Sequence, residues 1–149
     1  MSAEIKILKE FAPKEITLIV GLPGTAYIGK LSVDYLIQQL EAERVAEIYS
    51  KHFPPYVIIK ENGLVELLRN ELHWFRDTEG RDFVFLAGNS QALSPEGQYD
   101  VAETILSWAI DHGVKRVFSV AALVTDKPFD EPAVYYTTTN SELLEELKE

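Results

Sequence analysis

The run Gly24-Thr25-Ala26-Tyr27-Ile28-Gly29-Lys30-Leu31 holds the most recognisable chemistry in this sequence, because Gly-x-x-x-x-Gly-Lys after a strand is most of a phosphate-binding loop. In such a loop backbone amides cradle phosphate oxygens and the lysine reaches over them. With Gly21 just upstream, the ligand-loop candidates are Gly21, Gly24, Thr25, Gly29 and Lys30. The last position departs from the pattern. A Ser or Thr must follow the lysine to hold magnesium, but Leu31 stands there and Ser32 comes one residue late, a rotation of about 100° on a helix. The Gly-x-Gly-x-x-Gly spacing of a dinucleotide fold is also missing, since Gly21 is followed by Leu22 and Pro23. The simpler reading makes these glycines backbone devices: Gly21 and Gly24 shape a tight turn, and Gly29 lets a helix lie close on a sheet.

His52, His73 and His112 are far apart and form neither His-x-x-x-His nor His-Glu-x-x-His, so no metal site is expected. His112, just before Gly113, suits the last carbonyls of a helix. The absence of cysteine excludes disulfides, thiolate metal sites and a cysteine nucleophile, and suits a reducing cytoplasm. No serine stands at a Gly-x-Ser-x-Gly elbow: Ser90 follows Gly88-Asn89, Ser119 follows Phe118, and Ser94 reads as a helix cap. Glu142, Glu145 and Glu146 share helical spacing, but on a face that reads as solvated. No catalytic residue and no cofactor is expected.

Apolar groups without an obvious place in a sheet point elsewhere. Phe53-Pro54-Pro55, Trp74 between His73 and Phe75, and Leu143, Leu144 and Leu147 on a terminal helix read as core or as a surface kept for another protein. A helix that short is marginal alone and must dock on something.

Composition and charge narrow the classes further. Its 149 residues are 46% hydrophobic and 26% charged, which is the composition of a soluble globular protein and excludes disordered and collagen-like classes. Its formal charge of -10 makes a field that repels phosphate backbones and anionic membranes, so neither nucleic acid nor membrane is expected as a partner. No stretch approaches the roughly 18 to 20 apolar residues that span a bilayer, and the chain reads as cytoplasmic.

The elements that must position these residues follow from periodicity. Ile16 to Val20 is a β-branched run ended by Gly21-Leu-Pro-Gly24 and reads as a buried strand; Tyr27 to Leu40 reads as a helix with a broad apolar face. Arg44 to Tyr49 is a second strand. Tyr56 to Lys60 and Leu64 to Leu68 flank Asn62-Gly63 and predict a hairpin with a two-residue turn. Leu72 to Phe75 is expected to continue that antiparallel part, and Thr78 to Asp82 to form a polar turn. Asp82 to Gly88 reads as a strand covered on both faces. Then comes a helix capped by Ser94, opened by Pro95 and stopped at Gly113, with Ala102, Ile105, Leu106, Ala109 and Ile110 as its buried stripe. Val114 to Val120 and Val134 to Thr139 are further strand candidates, the latter followed by a short helix that Asn140 caps. Together these predict one α/β domain over residues 1–149: a mostly parallel central sheet with helices on its faces, in three layers, plus an antiparallel hairpin. Ligands in such sheets sit at the carboxyl ends of strands, here Gly21 to Thr25, Gly88 to Ser94 and Ala121 to Lys127.

Taken in order, Gly21-Leu-Pro-Gly24 with Ile28-Gly29, Tyr35-Leu-Ile37, Phe53-Pro-Pro55, Leu86-Ala-Gly88-Asn89, Trp108-Ala109 with His112-Gly113-Val114, and Thr139-Asn140 resemble the proteasome assembly chaperone family, in its archaeal and bacterial branch related to the second eukaryotic chaperone subunit. The resemblance implies a three-layer α/β fold similar to the phosphorylase/hydrolase-like class, a homo-oligomer, and a non-catalytic role in assembling proteasome α subunits. Some relatives bind the α ring through a C-terminal tail with a penultimate tyrosine; this chain has Tyr135-Tyr136 inside instead. Relatives continue with further β/α units, so the chain is expected to be a short member or part of a longer protein. The competing expectation, from the fold and the glycine turn, is a nucleotide or small-molecule enzyme using the Gly21 to Lys30 loop.

Overall fold

The computed structural model describes residues 3–126 and 131–148. Lys127, the end of the third expected ligand loop, lies outside the described residues. The elements run β1 (Ala3–Ile7), β2 (Ile16–Gly21), α1 (Ile28–Gln39), β3 (Glu43–Ser50), β4 (Val57–Ile59), β5 (Val65–Leu67), β6 (Asn70–Arg76), β7 (Asp82–Gly88), α2 (Pro95–Asp111), β8 (Val114–Ser119) and α3 (Ser141–Glu146). Six strands form one sheet in the order β1-β3-β6-β7-β2-β8, and β4 and β5 form a separate hairpin sheet.

The central sheet corrects the mostly parallel expectation. Three of its five pairings are antiparallel, β1 with β3, β3 with β6 and β6 with β7; only β2 with β7 and β2 with β8 are parallel. The cause is β6. Strands β3, β7, β2 and β8 all run the same way, and β6 enters between β3 and β7 in the opposite sense. One reversed strand thereby turns what would be a parallel neighbour relation into two antiparallel ones. Neither connection needs a crossover helix, since antiparallel neighbours do without one: the β4–β5 hairpin lies between β3 and β6, and a tight turn joins β6 to β7. Strand β1, absent from the expected elements, alternates Ile5 and Ile7 with Glu4 and Lys6 and closes the far edge on β3.

Neighbouring residues of a strand point to opposite faces, and this sorts the core into two clusters. Leu18, Val84 and Leu86 pack with Val101, Ile105, Trp108 and Ala109 of α2. Ile19, Phe83 and Phe85 pack with Val33, Leu36 and Ile37 of α1, so the two helices cover opposite faces of the sheet. On α2, Ser94 caps by accepting from the Gly97 amide at 3.1 Å, Pro95 opens the helix, and Gly113 at φ 75° ends it, all as expected. The buried stripe is not as expected. Ile105 and Ala109 are buried, but Ala102, Leu106 and Ile110 are exposed, the last two at 48% and 77%, because the helix turns Val101 and Trp108 to the sheet in their place.

Two other local readings change. The hairpin loop holds three residues: the Lys60 amide donates to the Leu64 carbonyl, the Gly63 amide donates back to Lys60, and only Gly63 takes a positive φ. That is a turn closed by a left-handed glycine, where a two-residue turn would require positive φ at Asn62 as well. Residues 134–139 form no strand. Val134 is 93% exposed there, and β-branched residues hold an extended pairing only where a neighbouring strand accepts it.

Candidate functional site

The glycine loop folds around its own backbone. A Cβ on Gly21 would collide with the Gly29 carbonyl and the Val33 side chain, and a Cβ on Gly29 would collide with the Val120 carbonyl. Both glycines therefore permit close approach of α1 to β2 and to the end of β8. Gly24 has open space around it and an extended backbone. Thr25 begins a single tight turn, Thr25–Tyr27, within which Ala26 and Tyr27 adopt left-handed φ values of 52° and 56°. The Gln91 side-chain amide donates to the Pro23 carbonyl, tying the loop after β7 to the loop after β2. Lys30 donates to Asp34 at 2.6 Å, one turn along its own helix.

Beside this loop a cleft of about 290 Å³ opens at the carboxyl end of β7, between α1 and β6. Lys30, Asp34, Arg69, Glu71, His73 and Asn89 line it. Glu71 and His73 alternate along β6 and share one face by the period of two, and Arg69 stands immediately before the strand at the same spacing. The alternation is visible in the sequence, on the strand face opposite to Trp74.

The three belong to a larger ionic lattice. Glu71 accepts from Arg69 at 2.8 Å and from Arg44 at 2.9 Å, and His73 Nε2 stands 3.1 Å from its other oxygen. Arg69 also bonds Glu66 at 3.1 Å and lies 3.3 Å from Glu47. The His73 hydrogen bond above all, then the Arg44 guanidinium, outweigh burial and hold the Glu71 carboxyl at about 2 against an ordinary 4.5. Lattices of this kind place fixed charges at a cleft mouth but commit each of them to a partner.

The expected interface residues fall in different environments. Phe53 is 7% exposed and belongs to the α2-side core, Pro54 is half-buried and Pro55 exposed. Trp74 is half-buried against that core and donates its indole N–H to Asp82 at 2.9 Å. Leu143 and Leu144 are half-buried, and Leu147 is more exposed, on the six-residue helix α3 that Asn140 caps. His52 lies 3.0 Å from Asp100 and packs on Gly97, and His112 stacks on Trp108 with ring centroids 4.4 Å apart. The three histidines thus remain apart, and among the described residues no group of three or more His, Cys, Asp and Glu could hold a metal. No described helix is long and apolar enough to cross a membrane.

Residues 18–149 match the PAC2 family. An uncharacterized protein of Methanocaldococcus jannaschii is 35% identical over 143 residues, covering 95% of this chain but only 55% of its own length. Among solved structures, Pyrococcus furiosus PbaB, an archaeal proteasome activator, superposes with a TM-score of 0.92 at 30% identity, over 99% of this chain and 62% of PbaB. Pyrococcus furiosus PbaA, an archaeal homolog of proteasome-assembly chaperone, shares the fold at 18% identity and a TM-score of 0.62, over 87% of this chain and 52% of PbaA. A PAC2 family protein of Streptomyces avermitilis does so at 19% identity and 0.72, over 91% of this chain and 61% of its own. The chain spans a little over half the length of these relatives.

Proposed function

The chain belongs to the PAC2 family, and we propose that it is a non-catalytic, homo-oligomeric protein-interaction module of one α/β domain that binds proteasome α subunits during assembly. The observation that carries this reading is the likeness to PbaB over nearly the whole of this chain, at a TM-score of 0.92. Two features of the site support it. The Gly21 and Gly29 positions are filled by the protein's own packing, and Lys30 is committed to Asp34, which leaves the expected phosphate grip without its parts. The charge of -10 speeds encounter with a basic surface, while exposed apolar side chains supply affinity once the surfaces meet. The reading places the protein in the cytoplasm, with no cofactor, nucleic acid or membrane among its partners.

Native mass spectrometry with separately expressed proteasome α subunits tests it. A complex that weakens between 50 and 300 mM salt is the expected result. Absence of any complex at micromolar concentrations, with both proteins folded, overturns it.

A second reading rests on the cleft between α1 and β6, which sits at the carboxyl end of a parallel strand, where α/β sheets take small molecules. A thermal-shift panel of nucleotides, nucleosides and amino acids separates the two. A true ligand at a hundred times its dissociation constant stabilises by about 2.7 kcal/mol, a rise of several degrees. No shift across the panel removes this reading.

A further inference from the structure

The cleft between α1 and β6 has a charge pattern that selects among small molecules. Lys30, Asp34 and Gln38 stand at spacings of four along α1 and line it from one side. Glu71 and His73 of β6, with Arg69 just before the strand, line it from the other. Glu71 pairs directly with Ala87 in the β6–β7 ladder, so both lie on the face of the sheet that α1 covers.

We propose that this cleft binds a free α-amino acid with an uncharged side chain, its ammonium held by the carboxylates of Asp34 and Glu71 and its carboxylate by Lys30 and Arg69. The proposal deepens the small-molecule reading of the cleft and rests on it. Three observations favour a zwitterion over other ligands.

First, the lining carries both signs in balance, Lys30 and Arg69 against Asp34 and Glu71. A phosphate or a lone carboxylate placed among them meets two carboxylates at short range, and a lone amine meets two cations. A zwitterion brings one charge of each sign and finds a counter-charge for both. It also has no net charge, so the -10 of the whole chain does not repel it as it repels a nucleotide.

Second, the ion pair on α1 has bonding capacity to spare. Lys30 gives Asp34 one of its three protons and engages one of the two carboxylate oxygens, Oδ2, at 2.6 Å. The two side chains are 26% and 40% exposed, so the bond is solvated and opens at little cost. Nor does the pair serve the helix. Lys30 stands in the first turn, where the helix dipole disfavours a cation, and it precedes its acid, which is the weaker order. A ligand can therefore bridge the pair without breaking a bond that the fold needs.

Third, the volume fits. At about 290 Å³ the cleft lies at the lower limit of the roughly 300 to 1,000 Å³ that enclose drug-sized ligands, which suits a free amino acid and is too small for a dinucleotide. The apolar lining from Ile37 and Ala87 suits an uncharged side chain.

Thermal shift and isothermal titration of the whole chain test the proposal, with glycine, alanine, valine and glutamine at about 10 mM as probes. Acetate, methylamine, the two together, inorganic phosphate and AMP serve as comparisons. The expected result is a rise of a few degrees in Tm with at least one amino acid, and none with acetate or methylamine, alone or mixed. Lys30→Met and Asp34→Asn should each weaken that binding at least tenfold, while Glu103→Gln on the exposed side of α2 leaves it unchanged. Circular dichroism melts show that the three variants fold. Amino-acid binding that both cleft variants retain lies elsewhere and overturns the proposal. Phosphate or AMP binding without amino-acid binding overturns the proposal and keeps the small-molecule reading. No shift with any probe overturns both, and leaves the complex with proteasome α subunits to its own test.

Discussion

Arg76 and Asp82 stand directly opposite one another in the β6–β7 pairing, and the guanidinium grips the carboxylate with two bonds of 2.8 and 2.9 Å. Asp82 is almost wholly buried at the start of β7, where it also accepts from the Trp74 indole and the Lys14 amide, each at 2.9 Å. Four donors converge on one carboxylate. They join the reversed strand, the central strand and the segment entering β2.

Replacing that carboxylate should be severe. Asp82→Ala leaves the Trp74 and Lys14 donors and the Arg76 charge without their acceptor, and should cost about 3 kcal/mol, or roughly 10 °C in Tm. Differential scanning calorimetry reads it. A loss below about 1 kcal/mol would mean that water replaces the carboxylate freely.

Acid should destabilise the fold through Glu71. Its carboxyl is held at about 2 in the folded protein and is ordinary, near 4.5, in the unfolded chain. A depressed carboxyl binds fewer protons folded than unfolded, so its contribution is whole above pH 4.5 and is lost as pH falls from 4.5 towards 2. That contribution is on the order of 2 to 3 kcal/mol. Urea melts from pH 7 to pH 3 should fall less steeply for Glu71→Gln than for the unaltered chain.

The glycine loop makes a paired prediction. Gly29→Ala drives a methyl into the Val120 carbonyl and should cost about 3 kcal/mol or prevent folding, whereas Gly24→Ala meets open space and should stay within about 0.5 kcal/mol. Equal costs at the two positions would show that packing is not what Gly29 serves.

The rotation of α2 is checked on its own surface. Ile105→Ala should lose about 3 kcal/mol from the core, while Ile110→Lys should change stability by less than about 0.5 kcal/mol. Equal losses at both positions would restore the stripe expected from periodicity, which held them both.

What was legible in the sequence was local. Ser94, Pro95 and Gly113 delimit α2 because capping chemistry acts within a turn or two, and Asp82 to Gly88 emerged with its residues in place because its apolar run matches burial on both faces. What was not legible depended on residues remote in the chain. Nothing near Leu72 announces that β6 runs between β3 and β7, and the choice between Leu106 and Trp108 as the buried edge of α2 is made by the sheet beneath. The site behaves the same way. Arg69, Glu71 and His73 are visible as an alternation, but Arg44 and Glu47, which complete their lattice, arrive from β3 across the sheet.

The reversed strand also sets a timetable. β6 and β7 are joined by a tight turn and meet within microseconds of collapse, whereas β2 must find β7 and β8 on the far half of the chain before either parallel pairing exists. A ribosome releases β2 before β3, β6 and β7, yet β2 waits for neighbours that come much later in the chain. A strand made early is therefore one that a nascent chain leaves exposed until β7 and β8 have followed it.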